Sequence, residues 1–359
     1  MRRGDSPFDN LKLTLYGDVI VHPRLQILNQ IILDPTSRSS AASFLRTYAR
    51  IIVIEAQERN LSIEAGKIPT PFGGYSGRDH SDTNPLISIP LMYHYFTSLR
   101  ANQLPANTAD LLAHRGQGAS SLFSGFAGGG SSSNLSGMPL IYDICWDFGV
   151  RAVGSLWRFE YSAALTQGTL GNPISSGGDT NDGKQIAGHL DFIPGRSLLV
   201  GGSFAIGPYL SRSVAASLPA GARLEDFDQV VWGANAELSF GHLDVFGEAV
   251  LNEWTSPYVV DDDGGVSDLK TTSWYVEGRY EVNPGTFVAA RVESFRFGSI
   301  ADGDGGEVAW DDDVDRIEGG IGYYLTDRTI GKLIIQYVDK KGSSGFREAF
   351  PAAQLSVSF

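Results

Sequence analysis

A net charge of −13 over 359 residues leaves no basic face for nucleic acid, and one cysteine, Cys145, excludes an internal disulfide. No apolar run reaches the roughly 18 residues of a spanning helix, yet 42 % hydrophobic residues, 11 % aromatics and 43 glycines suit a barrel whose strands show lipid only at alternate positions. Met1-Arg2-Arg3 runs straight into polar Gly4-Asp5-Ser6 without the apolar core of a signal peptide, so the chain reads as the mature form of an exported protein.

In chain order, strands are predicted at 11–22, 43–56 and 61–67. A segment of about 70 residues, 68–138, then interrupts the strands; a connection this long in an ordered domain usually has a role. It opens on Lys67-Ile68-Pro69-Thr70-Pro71-Phe72-Gly73 and carries the aromatic run Tyr93-His94-Tyr95-Phe96. Asn107 can cap a short helix over 108–114, and the segment closes on the flexible run 128–133. Its apolar content is too high for a loop lying in water, so it is expected to fold inward. If instead it hides two strands, the total rises to 16.

From residue 139 onward strands come in pairs, at 141–153 and 155–167, 184–193 and 198–209, 227–240 and 242–254, 270–282 and 286–297, 314–325 and 329–339, with a last strand at 352–359. The total is about 14, an even number, as single-chain bacterial barrels have. The tight connections fall at Gly154-Ser155, Pro194-Gly195, Gly241-His242, Asn283-Pro284-Gly285 and Thr326-Asp327-Arg328, where Gly, Asn and Pro supply hairpin dihedrals. The intervening connections, 168–183, 210–226, 255–269, 298–313 and 340–351, are long and polar. Short periplasmic turns alternating with long surface loops are the asymmetry of an outer-membrane barrel. Aromatics cluster near strand ends, with Tyr142, Trp232 and Trp274 towards the loops and Trp157, Phe240, Tyr280 and Phe359 towards the turns, as interfacial girdles do.

The reading is therefore all-β, one transmembrane antiparallel up-and-down β-barrel domain over 1–359, with 68–138 as a constriction or plug within it. On the predicted inward faces lie Arg46, Arg50, Asp143, Asp147, Arg151, Arg158, Glu160, Glu277, Arg279, Arg291, Glu293, Arg316 and Glu318. Ionised groups facing a dry core would cost several kcal/mol each, whereas a wet lumen accommodates them. Opposed basic and acidic ladders there either set a transverse field for dipolar solutes or brace adjacent strands. Inward acids outnumber inward bases, which predicts weak cation preference. Asp302, Asp304 and Asp311 are candidate calcium ligands, with solvated acidic loops as the plainer alternative. The histidines show no metal-site spacing, and His189, with serines nearby, is the one candidate for serine chemistry. No cofactor is expected.

The closing residues, Gln354-Leu355-Ser356-Val357-Ser358-Phe359, alternate apolar and small polar residues and stop on Phe. This resembles the last strand of Gram-negative outer-membrane porins. The resemblance implies that Phe359 is the signal read by the barrel assembly machinery, that Leu355, Val357 and Phe359 face lipid, and that lipopolysaccharide is a neighbour. It implies passive passage of small hydrophilic solutes or ions, with both a homo-trimer and a monomer open. The long segment is placed like the constricting third loop of general porins. Gly66 to Gly73 resembles the Pro-Phe-Gly step of phosphate-selective porins, although the acidic balance here departs from that family's basic lumen. The rival function is a structural barrel plugged by 68–138, a sheath or anchor for a partner protein.

Overall fold

The computed structural model describes residues 12–33, 42–75, 78, 80–118, 137–142, 146–174, 178, 181–260, 266–302, 305–342 and 345–359. Within these the strands are β1 (Leu13–His22), β2 (Leu25–Leu33), β3 (Ala42–Ala56), β4 (Arg59–Pro69), β5 (Trp146–Leu156), β6 (Phe159–Thr166), β7 (Gln185–Gly195), β8 (Leu198–Pro208), β9 (Asp228–Phe240), β10 (Leu243–Val260), β11 (Val266–Asn283), β12 (Thr286–Phe297), β13 (Ser299–Ala301), β14 (Glu307–Ala309), β15 (Val314–Thr326), β16 (Thr329–Lys340) and β17 (Phe346–Val357). All but β13 and β14 join one 15-stranded antiparallel sheet, each strand paired to its neighbours in chain order. β13 and β14 form a small hairpin of their own in the connection from β12 to β15. The architecture is the up-and-down β-barrel. The first and last strands flank the same stretch of the long segment: Tyr16 on β1 meets His80 at 2.9 Å, and Ser356 on β17 meets Ser81 at 2.8 Å.

Side chains alternate across the barrel wall as a period of two requires. On β11, Thr271, Ser273, Tyr275 and Glu277 are buried, while Thr272, Trp274 and Val276 are exposed. The outer surface carries exposed Leu, Ile and Val from β3 to β17, with Trp232 and Trp274 at one end and Trp157, Phe240 and Tyr280 at the other. Phe359 is 85 % exposed. Tyr142 is not in that belt. It stacks edge-on against Phe96 of the long segment, 6.3 Å between centroids.

Several elements depart from the expected boundaries: β10 runs to Val260 and β11 begins at Val266, taking up most of the connection expected at 255–269, and β5 begins at Trp146 and not at 141. Leu25–Leu33 is a strand with no counterpart among the expected ones. It carries apolar residues on both faces, and Leu28 is buried on the inner side with Tyr48 and Ile68, so its alternation is masked. The turn expected at Gly154-Ser155 lies at Trp157-Arg158. Trp157 takes the left-handed φ of 56° that hairpin turns normally assign to Gly or Asn. Gly154 is needed instead for close packing, since a Cβ there would meet the Asn60 carbonyl and Tyr161. The last strand begins at Phe346, not 352; Pro351 removes one ladder donor and hides the strand's first half.

The long segment leaves β4 and returns at β5. Among the described residues it contains no strand of the main sheet. It has a 3-10 turn, Leu91–Tyr93, and the short helix α1 (Thr108–Ala113). Asn107 caps α1, its side chain accepting the Asp110 N–H at 2.9 Å. Phe72, Tyr75, Leu91, Met92, Tyr93, Tyr95, Leu99 and Leu111 pack against Val231, Val250, Trp254, Tyr275, Phe295 and Val338 on the inner faces of β9 to β16. Leu86 and Ile87 form a second cluster with Phe287, Ala289, Ile330 and Ile334. The segment therefore folds into the barrel, where burial of its aromatic and aliphatic side chains holds it.

Candidate functional site

Among the described residues, the long segment packs mainly on the inner faces of β7 to β16 and meets β1 through His80 on Tyr16. On the covered wall, β11, β12 and β15 bring Glu277, Arg291, Glu293, Arg316 and Glu318 together through direct cross-strand register, with Arg291 opposite both Glu277 and Glu318. Arg291 donates to Glu277 at 3.0 Å, to Glu293 at 3.1 Å and to Glu318 at 3.2 Å. Arg316 donates to Glu293 at 2.6 Å. All five are buried.

Their remaining valences go to the segment. The Leu91 N–H reaches Glu293 at 2.6 Å, and the Ile87 and Ser88 N–H groups both reach Glu318 at 3.2 Å. Arg291 donates to the Ser88 carbonyl at 2.8 Å and Arg316 to the Ile89 carbonyl. Alongside, Lys332 donates to the carbonyls of Ser81, Asn84 and Leu86. Arg78, from the segment, donates to Glu277 at 2.7 Å and lies 3.7 Å above the Phe246 ring. Buried ions need partners, because an unpaired one is strongly destabilising; in this cluster only Arg316 Nη1 and Arg78 Nε are buried without a hydrogen bond. The expected lumen ladder is here an anchor for the segment.

Two more anchors flank it. Tyr93 donates to both oxygens of Glu248, at 2.8 and 2.9 Å. Beside it Gly73 turns with a φ of +72°, and a Cβ there would strike Glu248 and the Tyr93 hydroxyl; this accounts for the glycine after Pro71-Phe72. The Gly73 N–H donates to Ser203 Oγ at 2.9 Å. Ser203 contacts His189 Nδ1 at 2.7 Å, and His189 Nε2 contacts Asp191 at 2.7 Å. This chain has the residue types of a serine hydrolase relay, but Ser203 is only 6 % exposed and spends its oxygen on Gly73. It ties the start of the segment to β7 and β8. His94 is buried within the segment, and burial, reinforced by the Arg316 charge, pushes its pKa down to about 3.

The open wall, meaning the one that the described part of the segment covers least, is β1 to β6, where His80 meets Tyr16. Arg50 on β3 and Arg151 on β5 both donate to Glu64 on β4, each at 2.8 Å. Glu64 is fully covered by the two guanidinium groups, whereas the Arg50 side chain is 31 % exposed and that of Arg151 13 %. Arg46 stands apart. Its guanidinium lies 5.5 Å from the Tyr16 ring centroid and 5.8 Å from that of Trp146. Among the described residues no carboxylate pairs with it, and its Nε is buried without a hydrogen-bond partner.

The other candidates fall elsewhere. Asp147 is fully buried on β5 and accepts the N–H groups of Gly168 at 2.7 Å and Ile174 at 3.3 Å, so it shapes the connection after β6. Arg158 is corrected from the wall to the turn after β5, where it donates to the Pro194 carbonyl at 2.5 Å. Glu160 is exposed near that turn. Arg279 pairs with Asp244 at 3.3 Å beside the turns that follow β9 and β11. Asp143 and Asp304 lie outside the described residues. Asp302 closes the β13–β14 turn by accepting the Gly306 N–H at 2.9 Å. Asp311 accepts three N–H groups, from Ser98 and Gly116 at 2.6 Å and Asp312 at 2.7 Å. Burial raises its pKa against these bonds. Among the described residues no group of three His, Cys, Asp or Glu side chains is placed to hold a metal ion.

No protein-family model matches the chain, and no curated protein matches it. Solved structures do. An anion-selective porin from Comamonas acidovorans superposes with a TM-score of 0.54 at 13 % identity, over 97 % of this chain and 85 % of that one. Salmonella typhi OmpF, in a complex with daunomycin, gives 0.54 at 12 % identity over 96 % and 89 %. OmpT of Vibrio cholerae, an outer-membrane protein in a form lacking loop L8, gives 0.52 at 12 % over 96 % and 89 %. The fold is that of the outer-membrane porins. With that fold, and with an apolar belt between two aromatic girdles, the chain is built for the bacterial outer membrane. At such low identity the likeness is one of fold.

Proposed function

We propose that the protein is a porin, a passive and non-enzymatic channel for small hydrophilic solutes or ions, narrowed by segment 68–138. The observation that carries this reading is the asymmetry of the inner wall. The segment packs on β7 to β16 through apolar side chains and is pinned by charged groups on β10, β11, β12, β15 and β16, while charged side chains with exposed area remain on β3 and β5. A path lined on one side by charge and on the other by a fixed loop selects solutes by size and charge. Phe359, exposed at the end of the last strand, serves the assembly machinery. The outer belt meets lipid and lipopolysaccharide, and a homo-trimer is the assembly this fold commonly takes.

A second reading has its own support. The inner cluster extends from Ala187 on β7 to Val338 on β16, and a segment packed this widely on the inner faces would plug the barrel. The protein would then be a plugged sheath or anchor for a partner. Single-channel recording in planar bilayers separates the two. The porin conducts as isolated, and deleting residues 75–135 raises its conductance. A folded barrel that is silent until the deletion supports the sheath. Unchanged conductance after deletion overturns the assignment of the segment as the constriction.

A further inference from the structure

One stretch of the wall under the segment holds buried polar atoms that no other described residue satisfies. Asn252 on β10 and Thr271 on β11 stand directly opposite each other and face inward. Asn252 is 1 % exposed and Thr271 3 %. Gln229 on β9 donates to Asn252 Oδ1 at 2.9 Å and to the Leu140 carbonyl at 2.8 Å, and accepts the Gly171 N–H at 3.0 Å. There the network stops. Asn252 Nδ2 and Thr271 Oγ1 are buried without a hydrogen bond, and so is Ser256 Oγ, four positions further along the same face. Between them the Trp254 indole N–H is also buried without an oxygen or nitrogen partner. Its ring lies edge-on to Trp310, 5.9 Å between centroids, and a ring face meets only part of an N–H group's demand.

We infer that this stretch is a binding site for a file of ordered water, running along the inner face of β10 from the Asn252–Thr271 pair to Ser256. A buried donor or hydroxyl left unpaired forfeits its hydration, and folded proteins satisfy nearly all such groups through protein atoms or bound water. Opposed side chains on neighbouring strands have Cβ atoms about 5 Å apart, close enough for one water to bridge their tips. That water accepts from Asn252 Nδ2 and bonds Thr271 Oγ1, two of the two to four partners a buried water takes. Four residues of extended strand span about 13 Å, so the file continues past Trp254 to Ser256, where Tyr209 donates to the neighbouring Thr255 carbonyl at 3.1 Å. The site is made of amide, indole and hydroxyl groups and includes no ionised side chain, the chemistry of a water site and not of an ion site. Leu111 of the segment and Leu140 belong to the same packed cluster as Trp254, so the water lies beneath side chains that the barrel already covers. A porin and a plugged sheath would both hold it, and the inference does not depend on the choice between them.

The test is the sign of a stability change in the refolded full-length protein. Thr271→Val keeps the shape of the side chain and removes only its hydroxyl. If water bridges the pair, the variant strands that water and Asn252, and the thermal transition of the heat-modifiable barrel falls. If the wall is dry, the variant removes an unpaired hydroxyl, and the transition rises or stays where it was. Ser256→Ala, at the far end of the file, is expected to lower the transition as well. A rise or no change in Thr271→Val overturns the water file. Should the valine variant not refold, a crystal structure of the wild type decides. A water oxygen within hydrogen-bond distance of both Asn252 Nδ2 and Thr271 Oγ1 supports the site. The two side chains bonded directly to each other, with no water between them, overturn it.

Discussion

The covered wall and the open wall use the same residue types to opposite ends. Under the segment, Arg291 and Arg316 are enclosed by carboxylates and backbone carbonyls, with no exposed area. On the open wall, Arg50 and Arg151 enclose a carboxylate and keep exposed area of their own. In the first case the charge is used up in holding a loop; in the second, part of it is left for whatever passes. A guanidinium on the inner face of a barrel is therefore not by itself a pore-lining group. What counts is whether another part of the chain has already taken its hydrogen bonds.

The sharpest way to break this contrast is to remove one guanidinium from each wall. Arg291→Met leaves Glu277, Glu293 and Glu318 buried with less compensation and frees Ser88, a change expected to cost about 3–5 kcal/mol. The segment should detach, seen as rapid protease cleavage within 80–118 and a rise in conductance. Arg151→Met should cost less, because Glu64 keeps Arg50 and the Arg151 side chain is itself partly exposed. Equal protease sensitivity in both variants would show that the walls do not differ.

Acid offers a second route to the same comparison. His94 has a depressed pKa of about 3 in the docked segment, against about 6.5 when free. Between those values the released segment binds the extra proton, so docking is fully stable above about pH 6.5 and weakens as pH falls towards 3. Cleavage of the segment should accelerate over that window, and His94→Phe should flatten the dependence. A change confined to pH above 7 would assign it to another group.

Smaller effects follow at single contacts. Ser203→Ala leaves the Gly73 N–H without its acceptor and His189 Nδ1 without its contact, a loss of about 1–3 kcal/mol that should lower the thermal transition of the folded barrel. Arg46→Gln removes only ring contacts and should shift that transition least, by about 0.5–1 kcal/mol. A large loss of stability in Arg46→Gln would reveal a structural partner.

The strands were legible because their signal is local. Alternation along 270–282, the residues at Gly241-His242 and Pro284-Gly285, and the ending on Phe359 each depend on a few neighbouring side chains. They carried the sheet and its direction, and the cap at Asn107 likewise marked α1. Where local chemistry is ambiguous the reading slipped: at Leu25–Leu33, apolar on both faces, and at Trp157, a bulky residue in a glycine's conformation. The division of the inner wall was not legible at all. Arg50 and Arg291 occupy equivalent inward positions on their strands, and nothing beside either one in sequence tells them apart. Their difference arises because Ser88 and Leu91, some 200 positions from Arg291 and Glu293, come to rest on β12 and not on β3. The sequence by itself determined a barrel, its inside and its outside. Only the tertiary structure decided which of its inner charges remain in water, because burial and hydrogen-bond partners across the lumen are set by where the long segment packs.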